Sequence, residues 1–202
     1  MKIALIDLRE SSQGCNNKDK AGTFGNAMNG EDFFSRAYGF LKRKKVRTPV
    51  MHFGYLAAIF RQAGHTVSYY ESFPQDEDLV ILASSIVGYQ EELEFVREVR
   101  KRNPTVKIGF LGAFASVKPE IFIEGGADFI FAGEPQWAAL EIVVNRLEPK
   151  GVLPSRLIEN LEILPFADWR GFPVESYSYW PGLKKDPILP MLASRGCSFD
   201  CS

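Results

Sequence analysis

Two cysteines near the carboxyl end of the sequence have a type and spacing that directly suggest chemistry. Cys197 and Cys201 are separated by three residues and follow an apolar run and the tripeptide Ser-Arg-Gly. Thiolates so spaced on a loop can converge on one iron–sulfur cluster, because such clusters are held by cysteine sulfur. Two ligands are too few for a cluster, so a partial zinc site, a disulfide and a pair of unrelated thiols remain open as alternatives.

The overall composition limits the classes of protein and partner. The chain has 202 residues, enough for one domain of about 150 residues and a further segment. Apolar residues make up 46%, and 24 basic residues against 25 acidic ones leave a net charge of -1, so we expect a packed core and no nucleic-acid partner. No run approaches the roughly 18 apolar residues that span a bilayer. With three cysteines and no signal peptide, we predict a cytoplasmic protein with no membrane span, whose cysteines are reduced thiols or metal ligands.

Five short apolar runs alternate with helical patterns along residues 1–148. Each run is typical of a strand buried on both faces, and the runs cover residues 2–8, 65–70, 78–84, 107–112 and 127–133. Amphipathic helices are predicted around Leu56, around Leu93 and after Pro135. This alternation predicts an α/β fold with a doubly wound, mainly parallel, five-stranded sheet of Rossmann-like or flavodoxin-like type. Ligands of such sheets bind beyond the carboxyl ends of the strands.

The connection between the second and third predicted strands is too short for a helix. Ser72 to Asp78 is seven residues, and a fully extended segment of that length reaches about 23 Å. A crossover that lets both strands flank the first one needs about 20 Å. A bare crossover is therefore expected, and it leaves part of one sheet face uncovered.

Two segments lie outside the alternating pattern. Residues 9–51 form a long insertion after the first strand, which we expect to be functional and to cover the bare face. Its basic run at residues 42–47 is interpreted as solvated surface. Residues 149–186 are rich in proline and aromatic residues and are predicted to be an extended linker that packs, and the apolar run after Pro187 is interpreted as a further strand.

The residues around the two cysteines resemble the opening of the radical S-adenosylmethionine motif. SRGCSFDCS is similar to the start of CxxxCxxC, whose third cysteine would fall two residues past Ser202. PILPMLA resembles the first strand of the family's partial (β/α) barrel. ENLEILPFADW resembles the linker that precedes this strand. Upstream, GYLAAIFRQAGHTV, LGAFASVKPE and FIFAGEPQWAAL resemble the cobalamin-binding domain at the amino end of one branch of this superfamily. The resemblance covers nearly all the chain except the insertion. It implies a cobalamin-binding domain at residues 1–148 and an incomplete barrel domain at residues 187–202.

The resemblance also implies which residues hold the cobalamin. The family's binding loops correspond here to the turns after the third, fourth and fifth strands, and the implied contacts, with the residue after the first strand, are Asp7, Ser84, Ser85, Gly112, Ala113, Gly133 and Glu134. Small residues let backbone N–H groups approach the nucleotide tail of the corrin, and serine hydroxyls can hydrogen-bond its base or phosphate. The other interpretation is that the two glycines serve tight strand-to-helix turns, which any doubly wound protein needs.

Two positions depart from the family's pattern. Better-known cobalamin modules carry a DxHxxG loop after the first strand, and its histidine ligates cobalt, whereas here Asp7 is followed by Arg9 at the histidine position. A bound cobalamin would lack that ligand unless His52 or another insertion residue reaches the metal, and His52 is more simply interpreted as a helix-start residue. Ala113 replaces the second glycine of a Gly-Gly pair, and its methyl group narrows the tail cleft.

The resemblance implies the chemistry of the intact enzyme. A 4Fe-4S cluster, to which Cys197 and Cys201 would contribute thiolates, binds S-adenosylmethionine and generates a deoxyadenosyl radical. Many relatives then transfer a methyl group from methylcobalamin to the substrate. We therefore expect a cofactor-presenting fragment of a methyltransferase that acts on an unactivated carbon of an unknown substrate, with the barrel docking on Phe166 to Trp180.

Two other functions remain as alternatives. The sheet could be a flavodoxin-like interaction or regulatory domain of a radical S-adenosylmethionine enzyme that binds no cobalamin. A nucleotide-binding enzyme ranks last, because the first strand-to-helix turn contains neither GxGxxG nor GxxxxGK[ST].

Overall fold

The computed structural model describes residues 1–8, 32–37, 40, 46–86, 88–154, 156, 158–180 and 183–191. Within these ranges the strands are β1 (Lys2–Ile6), β2 (Val46–Arg47), β3 (Thr66–Tyr70), β4 (Leu79–Ala83), β5 (Lys107–Leu111), β6 (Phe129–Phe131), β7 (Gly151–Leu153) and β8 (Ser178–Tyr179). The helices are α1 (Met51–Gln62), α2 (Tyr89–Arg102), α3 (Ala113–Val117), α4 (Pro119–Glu124) and α5 (Pro135–Val144). Residues 33–37 form a further helical segment.

Six of the strands form one parallel sheet, in the order β3-β1-β4-β5-β6-β7. Every neighbouring pair is parallel, which confirms the predicted α/β class and doubly wound sheet. The prediction of five strands was one short, since β7 pairs with β6 and places Leu153 opposite Phe131. This strand falls inside residues 149–186, the predicted linker. The strand has only three residues and lies between Pro149 and Pro154. This is too short for the alternation of apolar and polar residues that identifies a strand.

Two helical layers bury the two faces of the sheet. Successive residues of β1 point to opposite faces, so that Ile3 and Leu5 belong to the cluster under α1 and α5, and Ala4 and Ile6 to the cluster under α2 and α4. All five residues of β4 are buried. This double burial explains why the strands are continuous apolar runs in the sequence.

The bare crossover between β3 and β4 is confirmed. Both strands pair with β1, and residues 71–78 contain no helix. Phe73, within the crossover, stacks on Phe95 of α2 with 4.6 Å between ring centroids, and the Tyr70 hydroxyl donates to Glu77 Oε1 at 2.6 Å. This hydrogen bond raises the pKa of Tyr70. The crossover therefore covers part of its own sheet face, while most of the insertion predicted as its cover, residues 9–31, 38–39 and 41–45, lies outside the described residues.

Arg102 is expected to stabilise the crossover through Phe73. Its guanidinium lies 3.8 Å from the centroid of the Phe73 ring, and a cation–π contact of this kind contributes about 1 kcal/mol. Arg102→Ala should therefore lower the free energy of unfolding by about 1 kcal/mol in urea denaturation. Arg97→Ala is the control, because Arg97 is exposed on the same helix, and its effect should stay within about 0.5 kcal/mol. Equal losses in the two variants would contradict this role.

The segment predicted to be a packed linker lies against α1. The Asp168 N–H donates to the Gly54 carbonyl at 2.9 Å, and the Asp168 carboxylate lies 3.0 Å from the Arg61 guanidinium. Hydrogen bonds from Arg170 and Arg61 hold the pKa of Asp168 well below its usual range. These contacts fix the linker to the helix that follows the insertion.

The surface predicted to receive the barrel is divided between inward and outward side chains. Phe172 and Tyr177 belong to the core cluster under α1, whereas Phe166 is 98% exposed and Trp180 is 37% exposed. The inward residues hold the linker, so a docking partner can contact the outward ones.

A second, two-stranded sheet joins the end of the insertion to the linker. Strand β2 pairs antiparallel with β8, and Val46 lies opposite Tyr179. The two segments outside the alternating pattern are therefore attached to each other. In the part of the chain that the structure describes, no helix is long and apolar enough to cross a membrane.

Candidate functional site

The predicted binding residues all lie at one edge of the sheet. Because the six strands are parallel, the residues that follow β1, β4, β5 and β6 lie at the same, carboxyl, edge. The strand order reverses at β1, whose neighbours are β3 and β4. The switch point therefore lies between the ends of β1 and β4, where Asp7 and Ser84 stand, and it is where doubly wound sheets bind ligands.

Ser84 has a buried hydroxyl that nothing in the described part of the chain satisfies. The residue is 8% exposed, and its Oγ has no hydrogen-bond partner there. Its backbone N–H donates to the Leu111 carbonyl at 2.8 Å, which holds the ends of β4 and β5 together. An unsatisfied buried hydroxyl costs about 1–3 kcal/mol, so a hydrogen-bond partner for Ser84 Oγ would stabilise the protein.

Gly112 allows β5 to end against the backbone of Ser84. Its φ is +124°, a region that side chains other than glycine rarely adopt. A Cβ at this position would lie 2.5 Å from the Ser84 carbonyl oxygen. Gly112 is therefore required by both its backbone conformation and this close approach. Ala113, the next residue, is exposed at the start of α3.

Ser116 connects the ends of β5 and β6, and the sequence interpretation missed it. Its hydroxyl donates to the Gly112 carbonyl at 2.8 Å and accepts from the Gly133 N–H at 2.9 Å. The Gly133 amide, predicted to approach a corrin tail, is thus satisfied within the chain. The available signal was a serine four residues after the Gly112 turn, since serine hydroxyls on helices often bond to the carbonyl four residues earlier.

Ser85 lies in the turn before α2, and Glu134 immediately precedes α5. Ser85 is 5% exposed, and its Oγ accepts a hydrogen bond from the Gly88 N–H at 3.3 Å, so it differs from Ser84 in having a partner. Glu134 is half-buried and immediately precedes α5. The Ser85 side chain therefore supports local structure at the edge where the ligand is expected.

Asp7 belongs to a polar network on the β3 side of the switch point. It is 3% exposed, and the Tyr69 hydroxyl lies 3.2 Å from its Oδ2 and 3.0 Å from Glu71 Oε1. Glu71 also pairs with Arg47 of β2. A phenol has one hydrogen to donate, so Asp7 and Glu71 share it. The network ties the end of β1 to the end of the insertion.

His52 contacts Gln136 at the same edge. It is the second residue of α1, as predicted, and its Nδ1 lies 3.1 Å from Gln136 Nε2 in the first turn of α5. Gln136 is completely buried, and its Oε1 has no hydrogen-bond partner in the described residues.

The predicted metal ligands cannot be placed. Cys197 and Cys201 lie outside the described residues. Among the residues that are described, no group of three or more histidine, cysteine, aspartate or glutamate side chains could hold a metal ion. A scan against protein-family models finds no match, and a search of curated proteins finds none either.

Proposed function

We propose that this chain is the amino-terminal, cofactor-binding part of a cobalamin-dependent radical S-adenosylmethionine enzyme that methylates an unactivated carbon. The observation that carries the proposal is the buried Ser84 hydroxyl, which lacks a partner in the described part of the chain and follows β4 at the switch point. The radical S-adenosylmethionine part of the proposal is based on the resemblance of residues 187–202 to the start of the radical motif.

The residues at the switch point fit the polar tail of a corrin. The Ser84 hydroxyl can both donate and accept a hydrogen bond, which suits the phosphate, ribose and base of a nucleotide tail. Gly112 presents no side chain beside it, and a Cβ there would meet the Ser84 backbone. In the proposed complex, the corrin tail would therefore meet the backbone at Gly112 and the Ser84 hydroxyl.

Exposed apolar side chains near the switch point could contact the apolar macrocycle of cobalamin. Ile86, two residues beyond Ser84, is 61% exposed, and Ala113 after β5 is also exposed. Contact with a ligand would remove their apolar surface from water. When bound, cobalamin supplies the methyl group, while the protein supplies placement and excludes water.

The radical chemistry would be assembled by the other end of the chain. Cys197 and Cys201 would supply two of the three thiolates that hold the cluster, and the outward Phe166 and Trp180 would contact the barrel. Helix α1 carries the linker contacts of Gly54 and Arg61, so this helix would help to position the barrel relative to the sheet.

The alternative is an interaction or regulatory domain without cobalamin. It is favoured by two predicted binding groups that the chain satisfies itself, namely Ser85 Oγ through Gly88 and the Gly133 N–H through Ser116. The cobalamin-binding function requires that the unsatisfied Ser84 hydroxyl hydrogen-bonds to a corrin, whereas the interaction domain does not.

Titration of hydroxocobalamin into the purified chain tests the proposal. We expect a saturable shift of its visible spectrum. Ser84→Ala should weaken binding about tenfold, because a hydrogen bond to the tail is lost. The same substitution should raise the free energy of unfolding by about 1 kcal/mol, because an unsatisfied buried hydroxyl is removed.

Ser85→Ala is the matched control. It removes the neighbouring hydroxyl, whose partner is Gly88, so it should lower stability by about 1 kcal/mol and leave cobalamin affinity within about twofold. Absence of a spectral shift at high micromolar concentration would favour the interaction domain. Equal losses of affinity in the two variants would remove Ser84 from the site.

A further inference from the structure

A cavity lies at the amino edge of the sheet, opposite the switch point. Its volume is about 530 Å³, within the range of small-molecule sites. Leu79 at the start of β4 and Lys107 at the start of β5 form its floor, and the end of α5 forms one wall. The cavity is therefore separated from the switch point by the length of the strands.

The wall of this cavity is mainly apolar. It includes Leu79, Ile142, Val143 and Leu147. Leu79 and Ile142 are buried, whereas Leu147 is 43% exposed and lies toward solvent. An apolar body that entered the cavity would cover Leu147 and remove its surface from water.

The charged groups of the wall are not equally satisfied. The Asp78 carboxylate accepts from the Lys2 N–H at 2.7 Å, and Glu148 lies 3.4 Å from Lys107 Nζ. Burial, followed by the charge of the amino terminus, lowers the pKa of His65, so its ring is neutral at pH 7. Arg146 lines the same cavity and is exposed, and no acceptor within the described residues pairs with its guanidinium.

The backbone at Arg146 is in a conformation that favours glycine. Arg146 follows the C-cap Asn145 of α5 and has a φ of +52°, the left-handed position that glycine usually occupies after a helix. If this position served only to end the helix, glycine would be the favoured residue. An arginine at this position places an unpaired cation on the cavity wall at the expense of backbone strain.

We propose that this cavity binds an amphiphilic carboxylate, with its apolar body against Ile142 and Leu147 and its anionic group on the Arg146 guanidinium. The proposal is independent of cobalamin, because the cavity lies at the other edge of the sheet.

Octanoate is the probe, and octan-1-ol is its uncharged counterpart. In ¹H–¹⁵N spectra of the full chain, we expect octanoate to shift the amide signals of Leu79, Ile142 and Arg146 saturably and to bind about tenfold tighter than octan-1-ol. Arg146→Gln should abolish that preference. Arg97→Gln, at an exposed position of α2, should leave it unchanged.

Arg146→Gly separates the ligand role from a structural one. It removes both the cation and the strain, so octanoate affinity should fall about tenfold while the melting temperature stays the same or rises. A fall in melting temperature without a change in octanoate affinity would overturn the proposal, as would equal binding of octanoate and octan-1-ol by the unchanged chain. Hydroxocobalamin titration of Arg146→Gln should match that of the unchanged chain, so failure of one proposal does not affect the other.

Discussion

Gly112→Ala is expected to lower the free energy of unfolding by about 3 kcal/mol and to abolish the spectral response to hydroxocobalamin. The added Cβ would stand 2.5 Å from the Ser84 carbonyl oxygen. That oxygen is backbone, so the ends of β4 and β5 must separate to relieve the contact. Urea denaturation measures the first effect, and the hydroxocobalamin titration, carried out where the variant is still folded, measures the second.

Gly64→Ala is the matched control for this substitution. Gly64 also has a positive φ, +80°, but a Cβ built there has no heavy atom within 4 Å. It should therefore cost the conformational strain alone, about 1 kcal/mol, and leave the titration unchanged. Equal destabilisation by the two substitutions would show that the contact with Ser84 is not tight.

The proposed site depends on the contrast between Ser84 and Ser85. The two serines are adjacent and both buried, yet Ser85 Oγ accepts from Gly88 and Ser84 Oγ has no partner in the described residues. A protein gains nothing in stability from an unsatisfied buried hydroxyl. Retaining one beside a glycine in a restricted backbone conformation is the pattern expected where local stability is given up for binding.

Much of the sheet could be predicted from the sequence because its strands are buried on both faces. Runs such as residues 78–84 are continuously apolar, which fixes their type, and the seven-residue connection at Ser72 to Asp78 leaves few possible strand orders. The edge strand β7 was missed because its middle residue, Val152, is half exposed and the strand has three residues. A half-exposed run of that length looks like part of a linker.

For the candidate site, the sequence could predict which residues follow the ends of the strands, but not how their polar groups are hydrogen-bonded. Parallel strands bring the residues that follow them to one edge, and the resemblance to the cobalamin-binding domain is what selected Ser84, Gly112 and Gly133 among those residues. Which polar groups are satisfied depends on neighbours distant in sequence. Ser116 takes the Gly133 N–H from 17 positions away, and Tyr69 reaches Asp7 from 62 positions away. No local pattern contains that information.

Gly54→Ala should reverse the usual effect of replacing a helical glycine by alanine. In an unobstructed helix the change gains about 1 kcal/mol. At Gly54, however, the new Cβ would lie 2.7 Å from Trp169 Cζ2 and 2.9 Å from Ala167 Cβ. We expect a loss of about 2 kcal/mol in the free energy of unfolding, together with a red shift of tryptophan fluorescence and faster proteolysis of the linker as Trp169 leaves α1.

A double-mutant cycle with Trp169→Ala assigns this loss to the linker contact. With the indole removed, its clash with the new methyl group disappears, so Gly54→Ala should cost at least about 1 kcal/mol less than it does in the unchanged chain. Additive effects would mean that the contact with the Trp169 indole is not the source of the loss. Because the Asp168 N–H donates to the Gly54 carbonyl at 2.9 Å, displacement of Trp169 should also weaken that hydrogen bond. If proteolysis near Asp168 is faster in Gly54→Ala than in the double variant, then Gly54 on α1 determines how the linker is positioned.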